Sequence, residues 1–145
     1  SKQLTKDTVI SILKCGYKVN DELSAMFKTH GISLPQFNVL RILRGRKGEA
    51  ANLSTIQEQM IHKMSNTTRL IDKLIEGGYV NRFVCKKNRR KIEIFITKKG
   101  LELLSSLDLQ LDAKEQFLLN NLEDKEKEEL MRLLSKVQTS ITSET

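Results

Sequence analysis

Residues 64–100 read MSNTTRLIDKLIEGGYVNRFVCKKNRRKIEIFITKKG, and the hydrophobic period changes in the middle of this stretch. Between residues 64 and 76, apolar side chains recur at the spacing of one helix face. Between residues 92 and 96, every second residue is isoleucine, which is typical of a half-buried strand. Gly77–Gly78 separates the two patterns, and glycine often ends a helix. We therefore predict a helix followed by a β-hairpin.

The segment that joins the two predicted strands is strongly basic. Five of the six residues Lys86–Lys91 are cationic. Residues 79–100 hold eight cations and one anion, which equals the whole net charge of +7. Such a local excess favours a polyanionic partner. A solvated turn that lysine keeps soluble would have the same composition, so the charge alone leaves both interpretations open.

Three further helices are predicted before this stretch. The first runs from Thr8 to about Thr29 by its apolar period. The second begins after Ser33, which has a glutamine three residues later, the spacing of a capping box. Ser54 and Gln57 have the same spacing and predict the start of a short third helix. The third helix and the helix of residues 64–76 then resemble the two helices of a helix-turn-helix motif.

Two helices are predicted after the hairpin. Thr97 is expected to cap a fifth helix that ends near Leu119. Glu123 and Asp124 favour the start of a sixth, since acidic residues suit the positive end of a helix dipole. Its apolar residues have the 4-3-4 spacing of a helix pair and predict a dimerisation seam at Leu130, Leu134, Val137 and Ile141.

The second helix of the helix-turn-helix presents short polar groups at its start. Asn can pair with adenine and Arg with guanine, whereas Ser and Thr suit bases or phosphates. Ser65 and Asn66 would also serve simply as helix caps. At the hairpin tip, Arg89 or Arg90 is expected in a minor groove, with lysines on phosphates. The predicted DNA contacts are Ser65, Asn66, Thr68, Arg69, Lys73, Lys86, Lys87, Arg89, Arg90 and Lys91.

The stretch LSTIQEQMIHKMSNTTRLIDKLIEGGYVNR, with the basic wing and ITKKG after it, resembles the MarR/SlyA family of winged-helix regulators. The resemblance extends over nearly the whole chain. It implies a mainly α fold of six helices with a small β-hairpin wing. It places the DNA-binding lobe at about residues 33–100 and the dimerisation helices at about 1–30 and 101–145.

The same resemblance implies a function. Family members are cytoplasmic homodimers that bind pseudo-palindromic promoter DNA, commonly as repressors. Many release it when a small phenolic or other molecule binds, or on oxidation. The recognition-helix contacts implied are Ser65, Asn66, Thr68 and Arg69, and Arg90 is the wing arginine. A winged-helix module that binds protein or RNA is the alternative.

Two regions depart from the family pattern. Asn88 stands where the wing usually has an acid that braces the neighbouring arginines. Thr67 stands where the recognition helix usually has an apolar residue, and Lys63 where it usually has an acid or Ser as its cap. The helix cap is therefore expected to move to Ser65.

Other sites follow from the resemblance or from single residues. An effector pocket is expected near Tyr17, Phe37 and Leu104, although each also suits ordinary core packing. Cys15 lies where peroxide-sensing relatives carry a reactive cysteine, and a small packing residue is the alternative. His30 and His62 lack partners at ligand spacing, so no metal or other cofactor is predicted.

The sequence lacks the features that several classes of protein would show. No nucleophile–base pair or phosphate-binding glycine loop occurs at motif spacing, so an enzyme is not expected. No apolar run reaches about 18 residues, so no membrane span is predicted. The start of the chain lacks the apolar block of a signal peptide. Two cysteines are too few for a disulfide framework, which fits the reducing cytoplasm.

Overall fold

The computed structural model describes residues 1–143, which form six α-helices and one antiparallel pair of strands. This confirms the predicted mainly α fold with a β-hairpin wing. The elements, in chain order, are α1 (Lys2–Lys28), α2 (Leu34–Gly45), α3 (Leu53–Gln59), α4 (Thr67–Glu76), β1 (Val80–Val84), β2 (Ile92–Ile96), α5 (Lys98–Leu118) and α6 (Asp124–Ser143).

The chain divides into two compact units, and the boundary falls inside α5. The first unit spans Ser1–Leu111 and the second begins at Asp112. The buried core belongs to the first unit and is built around α2, where Phe37, Asn38, Val39, Leu40, Ile42 and Leu43 are buried. Phe37 stacks on Phe27 of α1 with ring centroids 4.4 Å apart. Each such fully buried apolar side chain contributes about 1.5–3 kcal/mol, so this core holds the helices of the first unit in place.

The first helix starts earlier than predicted. It begins at Lys2 and not at Thr8, because the Ser1 hydroxyl accepts a hydrogen bond from the Leu4 N–H at 3.2 Å and caps the helix. Residues 2–18 of this helix are all exposed. The predicted end is confirmed, since Thr29 is the C-cap.

The capping box predicted for α2 is confirmed. Ser33 Oγ accepts from the Gln36 N–H at 3.2 Å, and Gln36 Oε1 accepts from the Ser33 N–H at 2.8 Å. The second predicted box is wrong. Asn52 caps α3 through its Oδ1, which accepts from the Thr55 N–H at 2.7 Å, so Ser54 lies inside the first turn. The side chain of Gln57 is thereby left to bond elsewhere.

The hairpin pairs Val80 with Ile96 and Val84 with Ile92. A short third segment joins it on the outer side of β2. Ala51 donates to the Ile94 carbonyl at 3.0 Å and accepts from the Ile94 N–H at 2.8 Å. A single bridging residue has no period of its own, so the hydrophobic pattern offered no sign of it. The bridge attaches the loop before α3 to the wing.

The start of α5 is fastened to the turn between α4 and β1. Thr97 Oγ1 accepts from the Gly100 N–H at 3.1 Å, which confirms the predicted cap, and donates to the Gly78 carbonyl at 2.7 Å. Lys99 Nζ donates to the Gly77 carbonyl at 2.6 Å. A Cβ on Gly100 would lie 2.5 Å from the Tyr79 carbonyl oxygen. Because the two backbone segments approach so closely, only glycine fits at this position.

The second unit contains α6, whose start agrees with the prediction. The Glu123 N–H donates to Glu126 Oε1 at 2.9 Å just before the helix begins at Asp124. Three of the four residues of the predicted seam are exposed, and Leu134 is half-buried. Within residues 1–143, no helix is long and apolar enough to cross a bilayer.

Candidate nucleic-acid interface

The helix-turn-helix consists of α3 and α4, joined by residues 60–66. The recognition helix α4 begins at Thr67, three residues later than predicted. Asn66 is its N-cap, because its Oδ1 accepts from the Arg69 N–H at 3.2 Å. The expectation that Ser65 takes this role is wrong. The Ser65 N–H instead donates to the His62 carbonyl at 3.0 Å and closes a turn ahead of the helix.

Two side-chain amides hold the connecting segment from outside. Asn38 of α2 is 1% exposed, and its Oδ1 accepts from the Ile61 N–H at 2.7 Å. Gln57 of α3 donates to the Lys63 carbonyl and accepts from the Thr67 hydroxyl. Thr67 is buried, so this hydrogen bond explains why a polar residue occupies a position that is usually apolar in the family.

One face of α4 is buried and the other presents the predicted contacts. Ile71 and Leu74 enter the core, whereas the DNA-facing candidates of this helix lie on the exposed side. A cleft of about 420 Å³ runs between the start of α2 and the start of α4. Four predicted contacts line it, and Thr68 is exposed outside it. The residues lining the cleft are Ser33, Pro35, Gln36, Ser65, Asn66, Arg69, Leu70 and Lys73.

The hairpin tip holds its basic side chains in water. Lys86, Lys87, Arg89, Arg90 and Lys91 are all exposed. Within residues 1–143, none of these five forms an ion pair with another side chain. Their charges therefore remain available to a polyanion.

The tip backbone is closed by three hydrogen bonds. The Cys85 N–H donates to the Lys91 carbonyl at 2.8 Å, and the Lys91 N–H donates to the Asn88 carbonyl at 2.9 Å. Asn88 Oδ1 accepts from the Arg90 N–H at 3.1 Å. Asn88 thus braces the turn through the backbone, although it lacks the charge of the usual acid.

An ion pair joins the wing to the recognition helix. Arg82 Nη1 of β1 lies 2.9 Å from Asp72 Oδ1 of α4. Both side chains are about half exposed, so the pair contributes little to stability. Its geometric effect is to connect the exposed side of α4 directly to the strand that leads to the tip.

The residues predicted to form an effector pocket differ in their burial. Phe37 and Leu104 are buried in the core, and Tyr17 is 68% exposed. None of the three lines the 420 Å³ cleft. Cys15 is exposed on α1. No group of three or more metal-binding side chains occurs within residues 1–143.

A smaller cavity of about 220 Å³ lies under the connecting segment. The Asn38 amide nitrogen is buried and has no hydrogen-bond partner within the described part of the chain. The lining residues are Asn20, Leu34, Pro35, Asn38, Met60, Ile61, His62 and Ser65.

Sequence reasoning missed three polar residues that shape this surface, namely Asn38, Gln57 and Asp72. Asn38 gave one usable signal, because it is the polar member of an otherwise apolar run on the buried face of α2. Gln57 was assigned to a capping box, and the partners of Asp72 and Gln57 lie too far along the chain for spacing to reveal.

Comparison with known proteins agrees with this geometry. The model of the MarR family matches residues 32–92. The transcriptional regulator PapX of Escherichia coli is 27% identical over 110 residues, covering 76% of this chain and 67% of PapX.

Two crystal structures share the fold. A MarR-like transcription regulator from Bacillus cereus superposes with a TM-score of 0.83 at 22% identity, covering 95% of this chain and 98% of that one. A cysteine-to-serine mutant of E. coli MarR in complex with operator DNA gives 0.78 at 24% identity, covering 87% and 89%. These comparisons show that the chain is similar to MarR-family transcriptional regulators and shares the winged-helix fold of the two crystal structures.

Proposed function

We propose that this protein binds an inverted-repeat promoter site as a homodimer and represses transcription there. One observation carries the proposal. The exposed side of α4 is ion-paired through Asp72 to Arg82 of the strand that leads to the exposed basic tip. A polar helix end beside a cationic hairpin suits a major groove and the adjacent backbone.

The residues divide into two roles. Ser65, Asn66, Thr68 and Arg69 are proposed to contact base edges or nearby phosphates from the start of α4. The tip cations and Lys73 are proposed to bind phosphates, with Arg90 entering the minor groove. Each phosphate contact adds about 0.9 to the log–log salt slope.

The homodimer is proposed from exposed apolar side chains in both units. In α1 they are Leu4, Val9, Ile10, Ile12, Leu13 and Tyr17. In α6 they are Leu130, Met131, Leu133, Val137 and Ile141. Continuous apolar helix faces of this kind are normally covered by a partner. A two-fold dimer would place two copies of α4 about 34–36 Å apart, which is the spacing of successive major grooves.

Release by an effector is proposed at the 220 Å³ cavity, whose surface is mainly apolar. The pocket expected near Tyr17, Phe37 and Leu104 is the alternative site. The buried Asn38 amide nitrogen, which has no partner within residues 1–143, would donate to a compact, mainly apolar molecule with one acceptor oxygen. His62 and Ser65 line the cavity next to α4, so occupancy would shift the recognition helix. Oxidation of the exposed Cys15 is the alternative trigger.

The test is selection of genomic fragments by the purified protein, followed by sequencing and by the mass of the complex in solution. The proposal expects an enriched inverted repeat bound by two chains. A protein that binds RNA equally well, or that enriches no palindrome, is instead a winged-helix interaction module. A Cys15→Ser variant that abolishes peroxide-induced release would favour the redox trigger over the cavity.

A further inference from the structure

The segment between α3 and α4 contributes little apolar surface to the core. Ile61 is 73% exposed and Met64 is 85% exposed, whereas Met60 at the start of the segment is buried. Because apolar burial holds this segment only at its first residue, its path depends on hydrogen bonds to neighbouring elements.

Gln57 supplies two of these hydrogen bonds with one side chain. Its Nε2 donates to the Lys63 carbonyl in the segment, and its Oε1 accepts from the hydroxyl of Thr67, the first residue of α4. Thr67 is 3% exposed, so water cannot replace this partner unless the helix start opens. The amide therefore connects α3 to the turn and to the recognition helix together.

We propose that Gln57 is a positioning residue for DNA sequence recognition. It fixes where the start of α4 lies relative to α3, and it acts without contacting DNA itself. This inference rests on the proposed function. Base readout requires side chains placed to within about 0.5 Å. Phosphate contacts from the exposed tip do not depend on Gln57, since the tip is braced by its own hydrogen bonds.

The two effects can therefore be separated in one experiment. Loss of Gln57 should reduce discrimination between sequences but leave non-specific binding and its salt dependence intact. A residue that contacted phosphate would change the salt slope. A residue with a merely structural role would change the unfolding temperature without a selective loss of discrimination.

The central variant is Gln57→Leu, which keeps the side-chain size but removes both hydrogen bonds. The measurement is the Kd for the duplex enriched by the unmodified protein and the Kd for a scrambled duplex of equal length. We expect the Kd for the scrambled duplex divided by the Kd for the enriched duplex to fall roughly fivefold to tenfold. The salt slope on the scrambled duplex should change by less than about 0.5. Gln59→Leu is the matched control, since Gln59 is exposed on the same helix.

A second pair of variants keeps the test decisive if Gln57→Leu does not fold. Thr67→Val removes the hydroxyl at constant shape and should lose discrimination, whereas Thr67→Ser should retain it. Combining Thr67→Val with Gln57→Leu should be no worse than Gln57→Leu alone, because both remove the same hydrogen bond. Additive losses, or an unchanged ratio in a folded Gln57→Leu or Thr67→Val protein, overturn the inference.

The DNA-binding result for the unmodified protein is interpreted first. If it enriches no inverted repeat, the proposed function fails before any variant is compared. If it discriminates strongly and Gln57→Leu discriminates equally well, the proposed function stands and the role of Gln57 fails.

Discussion

The side chain of Asn88 accepts a hydrogen bond from the backbone N–H of Arg90 at 3.1 Å, at the tip of the wing. The turn is thus held by an uncharged residue between two pairs of cations. Asn88→Ala should loosen the tip and weaken DNA binding by about twofold to tenfold, the worth of one hydrogen bond. Asn88→Asp keeps the acceptor and is the control for geometry. Equal affinity of the Ala variant, measured by fluorescence anisotropy, would contradict this role.

Arg90→Ala should weaken binding to all duplexes and lower the log–log salt slope by about 0.9, because one cation that neutralises DNA charge from the minor groove is lost. The slope comes from anisotropy titrations at several salt concentrations. Lys125→Ala makes the same change in charge on α6, in the second unit, and should leave the slope unchanged. Equal slopes for the two variants would mean that the wing does not contact DNA.

Asn66 is expected to combine a cap with a DNA contact, and two substitutions separate these roles. Asn66→Ala removes the bond to the Arg69 N–H and should lower the free energy of unfolding by about 0.5–2 kcal/mol. Asn66→Ser keeps a capping oxygen and should restore most of that stability in chemical denaturation. Sequence preference should relax in both variants if Asn66 reads a base. A Ser variant with unchanged preference would leave Asn66 as a cap only.

Gly100→Ala should destabilise the protein by at least about 2 kcal/mol, because the new methyl group would meet the Tyr79 carbonyl oxygen at 2.5 Å. Gly16→Ala is the matched control. Gly16 lies within α1, and nothing stands within 4 Å of the position that a Cβ would take there, so alanine should stabilise by about 0.5–1 kcal/mol. Opposite shifts in thermal unfolding temperature are the expected result. A stable Gly100→Ala protein would refute the close approach of α5 to Tyr79.

Leu134→Glu combined with Val137→Glu should produce monomers that fold and bind half-sites weakly. The charges would enter the proposed seam, and a buried unpaired carboxylate is costly. Sedimentation at several concentrations measures the assembly. Met131→Glu, at a neighbouring position of the same helix, tests whether the seam also includes residue 131. A dimer that survives the double change would place the interface elsewhere.

The sequence predicted well where structure follows from local chemistry. The capping box at Ser33, the cap at Thr97 and the alternating isoleucines of β2 each depend on residues a few positions apart, and all three formed as expected. The start of α4 was misplaced because Ser65 and Asn66 are equally good caps by residue type. The choice between them is made by the turn at His62 and by Gln57, whose partners lie six and ten residues away.

At the candidate DNA surface, too, the sequence predicted local features but not the contacts between separate elements. Exposed cations at the tip and polar residues on α4 were found from charge and period. The ion pair between Arg82 and Asp72 was not, because its two charges belong to elements with different periods. Asn38 likewise becomes meaningful only when α2 lies against the connecting segment.

Because of the bridge between Ala51 and Ile94, the two edges, or borders, of the wing's sheet differ. The border formed by β2 is occupied at its centre, so another strand cannot add along it. The border formed by β1 has no strand partner among residues 1–143, and an unprotected border of this kind invites aggregation. A charged side chain, Arg82, stands in the middle of β1 and is held there by Asp72. The contact that joins the wing to α4 therefore also discourages one copy of the protein from extending the sheet of another.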